Sequence, residues 1–408
     1  MLAYAGLVLL FVGTFAQFHL PGKGFTYLIA FGSTEEGSRL SKVRKLDYFV
    51  EKESYGYDAQ YYVQIAMDPS LQNRELRNAV DSLSYRARRI LLSATAWAIG
   101  GGQPSRIIEV FAVQNAVSWL LLAGLLVHWF PPRDWEYFLR WAGVLGAMGL
   151  CVSVRNALTD GPSLLLIAFG VFLLEKGRPW LASAVLGISG LAKETNLLGA
   201  AAFIPAWGAG KRPWVLAVVK AALVAIPLAL WLGYVSLRVG PVTDAGVRNF
   251  SLPFSAYLNR WSEVTAGFSN LSLAWIDPVW SVFVLITLTV QFLFLVLRPR
   301  WDQPWWRIGI SFALLMVFLG DAVWEGYPGA ASRVLLPMQL AFNVLVPFGR
   351  RWMLVLLLGN LTFLASPAIL RPPQQESNVV TGPSELLLAV SGDAMQLEMQ
   401  QGWYQSES

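Results

Sequence analysis

Between Arg88 and Arg371 this sequence is close to one continuous apolar run, cut only by short polar links. Such a run has to be buried either in a very large core or in a bilayer, and short links favour helices packed side by side. Apolar stretches stand at 107–130, 140–155, 161–175, 180–192, 196–209, 213–237, 273–297, 308–322, 334–348 and 352–370. The residues are 55% hydrophobic and only 14% charged, with a mean hydropathy of +0.49, which lies outside the range of ordinary soluble domains. Eighteen Trp and thirteen Tyr suit interfacial aromatic belts. Leu2 to Phe18 adds one more apolar stretch. It lacks a basic n-region and a small-residue cleavage site, and reads as a retained anchor. The expected fold is an all-α polytopic membrane protein with about eleven transmembrane helices, some tilted or broken.

Several classes of chemistry are excluded by residue counts. The one cysteine, Cys151, sits in an apolar stretch, so no disulfide framework or cysteine metal site is expected. The two histidines, His19 and His128, sit near the ends of apolar stretches, which disfavours zinc, and neither lies among the other polar residues, which disfavours a His-dependent acyltransferase. The net charge of +5 arises in short links between apolar stretches and reads as topology, with no nucleic-acid partner. One set of links carries Arg133 and Arg140, Lys176 and Arg178, Lys211 and Arg212, Arg298, Arg300 and Arg307, and Arg350 with Arg351. The alternate links carry Arg155, Lys193 and Arg333 singly. By the positive-inside rule the first set is cytoplasmic. The N-terminus is then cytoplasmic, and the segment 21–105 is a long first extracytoplasmic loop. This alternation holds only if Ile90 to Ile99, ten apolar residues ended by Gly100-Gly101-Gly102, lies at the interface. Ten helical residues reach about 15 Å, half a bilayer core.

The loop contains SYGYDAQYYVQIAMDP (54–69), tyrosine-rich around one acid, Asp58. It reads as a polar loop in which Asp58 is either one solvating charge among several or a group poised for chemistry at the membrane surface. The outer side also receives Asp160, Lys193-Glu194, the 238–271 segment, and DAVWEGYPGAASR (321–333) with Glu325 and Arg333. Each has a plain structural role beside a functional one. Asp160 before Gly161-Pro162 is an N-cap by default. Lys193 and Glu194 interrupt an apolar run, where charges either pair with one another or face a polar cavity. Arg333 heads an apolar stretch and can snorkel, and its guanidinium is also a natural fork for phosphate. Arg88 and Arg89 either anchor an interfacial helix to headgroups or bind substrate. Residues 371–408 turn polar. There 385–399 reads as a strand pair about Gly392-Asp393, the start of a small or truncated outer domain.

These residue types permit one coherent reaction. A lipid-phosphate sugar donor would lie with its tail between helices and its phosphate at the outer interface. Lys193, Arg333, Arg88 and Arg89 would hold that phosphate and neutralise its charge as it leaves. Asp58 would take the proton of the incoming hydroxyl as general base. Tyr55, Tyr57, Tyr61 and Tyr62, with Gln60, Asp160, Glu194 and Glu325, would contact the sugar. The acids lack a tight oxygen-ligand spacing, so no obligatory metal or other cofactor is expected, a divalent ion being left open.

The set of motifs resembles the GT-C superfamily of integral-membrane glycosyltransferases, in a bacterial branch using polyprenyl-phosphate sugars. Tyr57-Asp58-Ala59-Gln60-Tyr61-Tyr62 with Asp68-Pro69 is similar to a Y-D-G-Q-F-Y…D-P pattern. Tyr85-Arg86-Ala87-Arg88-Arg89-Ile90-Leu91-Leu92, Thr159-Asp160-Gly161-Pro162, Lys193-Glu194-Thr195 and Ser332-Arg333-Val334-Leu335-Leu336-Pro337 follow in matching order over residues 1–370. The resemblance implies a catalytic aspartate at Asp58. It also implies inverting transfer of a sugar, a hexose or similar, to an outer glycan, lipid or protein acceptor, and residence in the bacterial cytoplasmic membrane. Ala59 stands where the pattern has Gly, so a left-handed backbone there would be strained. The rival class is a multi-pass transporter or flippase, which also has interrupted helices and intramembrane charge. No internal repeat relates the two halves. A non-catalytic scaffold would not need charges gathered on one face.

Overall fold

In a computed structural model the described residues are 1–206, 208–241, 247–269, 276–324 and 330–373. The chain is mostly helical. Among the described residues three helices are long and apolar enough to cross a membrane: Pro104–Leu126, Lys211–Arg238 and Val279–Leu297. Two bent pairs, Trp135–Leu145 with Met148–Arg155 (45°) and Arg350–Leu358 with Leu361–Ile369 (51°), raise the count to five if each is one span. That is below the eleven expected. The apolar stretches are present, but many are realised as short pieces. Pro179–Gly190 and Leu336–Leu345 have 12 and 10 residues, reaching about 18 and 15 Å at 1.5 Å per residue. Glu194–Phe203, which overlaps the expected 196–209 stretch, is a 3₁₀ helix.

Breaks occur where a polar group must be satisfied inside the bundle. After Leu358 the helix stops, and Asn360 exchanges hydrogen bonds of 2.9 Å with Asn343 while its Oδ1 accepts from Gln339 at 3.3 Å. All three amides are buried, so their partners have to be protein groups. Around them the bundle core is apolar, with Trp119, Trp141, Phe312, Leu340 and Phe342. By contrast, the most apolar 18-residue window of Lys211–Arg238 has a mean hydropathy of 2.4, and only 17% of it is buried. An apolar helix that exposes its side chains in this way needs lipid as its solvent.

The 21–105 segment is a packed cap with its own core. Leu28, Phe31, Leu40, Val43, Tyr62, Val63 and Leu76 cluster against Ile107, Ile108, Phe111 and Ala112 of the Pro104–Leu126 helix. The stretch read as a polar loop is helical over Ala59–Ala66. Its two glutamines, one turn apart, are buried ties. Gln60 accepts from Gly32 N–H and donates to Tyr55 C=O, and Gln64 joins Leu40 N–H to Ala79 C=O. Ala59 is a helical residue, and the positive φ nearby belongs to Gly56 (+77°), so the expected strain at Ala59 is absent. Ile90–Ile99 is a separate ten-residue helix, with Trp97 and Ile99 exposed.

Two of the arginines read as cytoplasmic link charges have another role. Arg140 is fully buried and donates to the carbonyls of Asn343, Val346 and Pro347, closing the C-terminus of Leu336–Leu345. Arg307 does the same at Ala202, near the end of the 3₁₀ segment. The other cations of that set, Arg133, Lys176, Arg178, Lys211, Arg212, Arg298, Arg300, Arg350 and Arg351, are exposed. The 374–408 tail, including the expected 385–399 strand pair, lies outside the described residues.

Candidate functional site

Where the cap meets the bundle, charged side chains from five separated segments converge. Asp58 stands at the entry to the Ala59–Ala66 helix, but its carboxylate does not cap that helix. Oδ1 is 2.9 Å from Arg86 Nη1, and the side chain keeps 31% exposure. Oδ2 has no hydrogen-bond partner among the described residues. Arg86 is held from its other side by Asp81, through Nε and Nη2. Its guanidinium lies 5.3 Å from the centre of the Tyr61 ring and 5.7 Å from that of Tyr62. An arginine gripped by two carboxylates and lying against aromatic faces is a fixed object.

The second group is centred on Asp160, the first residue of Asp160–Glu175. It caps nothing with its side chain. It accepts from Lys193 through one oxygen and from Arg333 through the other, the latter at 3.3 Å. Asp160, Lys193 and Arg333 side chains are 5%, 8% and 15% exposed, so their charges depend on one another for compensation. Arg333 also donates to the Tyr57 hydroxyl at 3.4 Å, which links this group to the residue beside Asp58. Arg333 can sit here because Gly149 lets two helices touch. A Cβ on Gly149 would lie 2.6 Å from Arg333 N and from the Ser332 carbonyl carbon.

The third group pairs Arg89 with Glu194 at 3.0 Å and ties Arg89 to the hydroxyls of Tyr62 (3.2 Å) and Tyr85 (3.4 Å). Lys193 and Glu194 therefore pair with different partners, and the internal Lys–Glu pair considered from sequence does not form. Arg88 lies 5.8 Å from the Tyr85 ring centre. Its Nε is buried without a hydrogen-bond partner, and it makes no ion pair among the described residues. Five cations (Arg86, Arg88, Arg89, Lys193, Arg333) thus face four acids (Asp58, Asp81, Asp160, Glu194). Among the described residues this leaves one unbalanced positive charge, which with a set of fixed donors suits an anionic group.

Outside the spans, ionisation follows these contacts. Burial disfavours the charged form of Arg86, but Asp58 and Asp81 outweigh it and hold the guanidinium well above its ordinary range. Burial likewise opposes the charge of Arg89, and Glu194 reverses the sign. Burial pushes the Tyr57 hydroxyl up, against the opposing pull of Arg333. It pushes Tyr62 up as well, against Arg89 and Arg86. Both phenols stay protonated and can donate.

Of the residues predicted from sequence, Asp58, Tyr57, Tyr61, Arg88, Arg89, Asp160, Lys193, Glu194 and Arg333 converge. Tyr55 contributes its carbonyl to Gln60, and the Gln60 amide is spent inside the cap. Glu325 lies outside the described residues. Arg86 and its clamp Asp81 were missed. Their signal was Arg86 opening the Arg-Ala-Arg-Arg run, with an acid five residues before it. Among the described residues no group of three or more His, Cys, Asp or Glu gathers as a metal site. No family model, curated protein or solved structure matches the chain.

Proposed function

We propose that this chain is a GT-C-like membrane glycosyltransferase, with about eleven crossings when short and bent helices are counted. Its active site faces the extracytoplasmic side of a bacterial cytoplasmic membrane. The donor is a sugar linked to polyprenyl phosphate, and the acceptor is a hydroxyl of an outer glycan, lipid or protein. The observation that carries this reading is the convergence of a half-buried, clamped Asp58 with buried Lys193 and half-buried Arg333, the two cations meeting on one carboxylate, Asp160. Asp160 pre-aims two cations that would otherwise repel, leaving them ready to stabilise charge developing on a leaving phosphate.

In the reaction, an acceptor O–H attacks the anomeric carbon and a new C–O bond forms. The bond from that carbon to the lipid phosphate breaks, and the phosphate departs with the electron pair. The acceptor proton goes to Asp58, whose unpartnered Oδ2 is the accepting atom. Arg86 fixes the carboxylate through Oδ1 and is a positioning residue. Lys193, Arg333 and Arg89, with the unpaired Arg88, hold the phosphate, and the Tyr57 hydroxyl donates within the same cluster. The exposed cations on the opposite links support the assigned sidedness.

The test is release of polyprenyl phosphate, a product common to every sugar and acceptor, from a panel of polyprenyl-phosphate sugars and membrane acceptors. Wild-type protein is expected to release it, and Asp58→Asn to lose about 10²–10⁴-fold in rate while keeping its melting temperature. Full activity in Asp58→Asn would remove the base assignment.

A further inference from the structure

A second basic feature lies away from this cluster. Arg74, Arg77 and Arg238 line a groove of about 570 Å³ whose walls include Leu71, Leu83 and Val239. The three arginines are exposed, and none makes an ion pair among the described residues. Arg77 reaches across the groove to the Val239 carbonyl at 3.3 Å, and Arg238 lies 5.7 Å from the Tyr234 ring centre. Three like charges around one small groove repel unless an anion joins them, and guanidinium forks match phosphate oxygens.

The position of the groove argues for the source of that phosphate. Arg238 ends the Lys211–Arg238 helix, which exposes Leu223, Ile226, Leu230 and Leu237 along its length. Near its end, Trp231 donates to Ala87 C=O at 2.7 Å and Tyr234 to Ser70 C=O at 2.6 Å. These two rings pin the lipid-facing helix to the cap, and such rings mark headgroup depth. An apolar track therefore leads directly to three cations at the level of lipid phosphates.

We propose that this groove binds the phosphate of an anionic membrane lipid, with an acyl chain lying along the exposed side of the Lys211–Arg238 helix. The site stands whether or not the chain is a glycosyltransferase. Native mass spectrometry on the full-length protein in neutral detergent tests it, with phosphatidylglycerol titrated in, phosphatidylcholine as the neutral control and inorganic phosphate as competitor. Wild type is expected to retain one phosphatidylglycerol and to discriminate against phosphatidylcholine by tenfold or more, roughly the worth of one charge-assisted contact. Millimolar phosphate should not displace it. The double variant Arg77→Gln/Arg238→Gln is expected to bind at least about tenfold more weakly, and Arg238→Lys to fall between. Equal retention of both lipids by wild type, or unchanged binding in the double variant, would overturn the proposal. Displacement by phosphate at a matching affinity would show a free-anion site and overturn it too. The wild-type comparison of the two lipids is decisive even if the double variant misfolds.

Discussion

Asp160→Asn is the substitution from which the site's energetics are most directly read. Asp160 is 5% exposed and compensates two cations, Lys193 and Arg333, that are themselves 8% and 15% exposed. Removing one partner from a buried ion pair costs about 3–5 kcal/mol, chiefly because the remaining charge is left buried. Asparagine keeps the volume and one accepting oxygen, so we expect the lower end, about 3 kcal/mol. At roughly 2 °C per kcal/mol for a long chain, the melting midpoint should fall by about 6 °C. Lys193→Gln leaves Asp160 with Arg333 and should cost less, about 1–3 kcal/mol. The double variant removes the carboxylate and one of the cations it compensates. It should therefore be less destabilised than the sum of the singles, by about 1–3 kcal/mol. The assay is tryptophan-fluorescence melting in one detergent for all four proteins. Additivity within about 0.5 kcal/mol would show that the two residues do not share a buried pair, and the reasoning would fail.

Three further outcomes follow from named contacts. Arg86→Gln removes the clamp on Asp58 Oδ1. Transfer should fall by about 10²-fold with the fold intact, and Arg86→Lys should restore part of it; equal rates in all three proteins would contradict a positioning role. Gly149→Ala would drive a Cβ to 2.6 Å from Arg333 N, where only backbone can yield. It should cost about 1–3 kcal/mol and weaken donor binding, whereas a wild-type melting curve would mean that the two helices are not in contact. Asp68 is the pH-sensitive case. Burial raises its pKa, but hydrogen bonds from Ser70, Asn73 and Gln72 outweigh burial and hold it below 3.8. A depressed carboxyl contributes stability above its unfolded pKa and loses it as pH falls through the folded value. Exchange protection of the Gln72 and Asn73 amides should therefore weaken below about pH 4 in wild type. In Asp68→Asn it should not respond to pH, and identical pH profiles would refute the assignment.

The apolar stretches were legible because alternating runs and short polar links are a one-dimensional signal. Ile90–Ile99 was legible to the residue, since its length and its glycine stop are both in the sequence. The breaks were not. Nothing in the apolar composition around Gly359 shows that Asn360 will leave the helix to meet Asn343 and Gln339. The cap was read as a polar loop because its core residues are scattered among charges, and their packing against one another and the Gln60 and Gln64 ties are tertiary facts. At the site, the residue types of Asp58, Lys193 and Arg333 were informative, while their pairing was a tertiary fact. Lys193 and Glu194 are adjacent in sequence yet serve partners 33 and 105 residues away. Arg86 was passed over for Arg88 and Arg89, because spacing alone does not say which cation of a basic run faces the acid.

The central claim is that Asp58 and the Lys193–Asp160–Arg333 group face one phosphate. A cryo-EM map of the full-length protein in nanodiscs with a polyprenyl-phosphate sugar tests it most directly. The account predicts phosphate density within hydrogen-bond reach of Lys193 and Arg333, with the sugar against the tyrosines and Asp58 Oδ2 facing the anomeric carbon. An empty cluster, with lipid density elsewhere and a polar path through to the cytoplasmic face, would contradict it and favour a transporter.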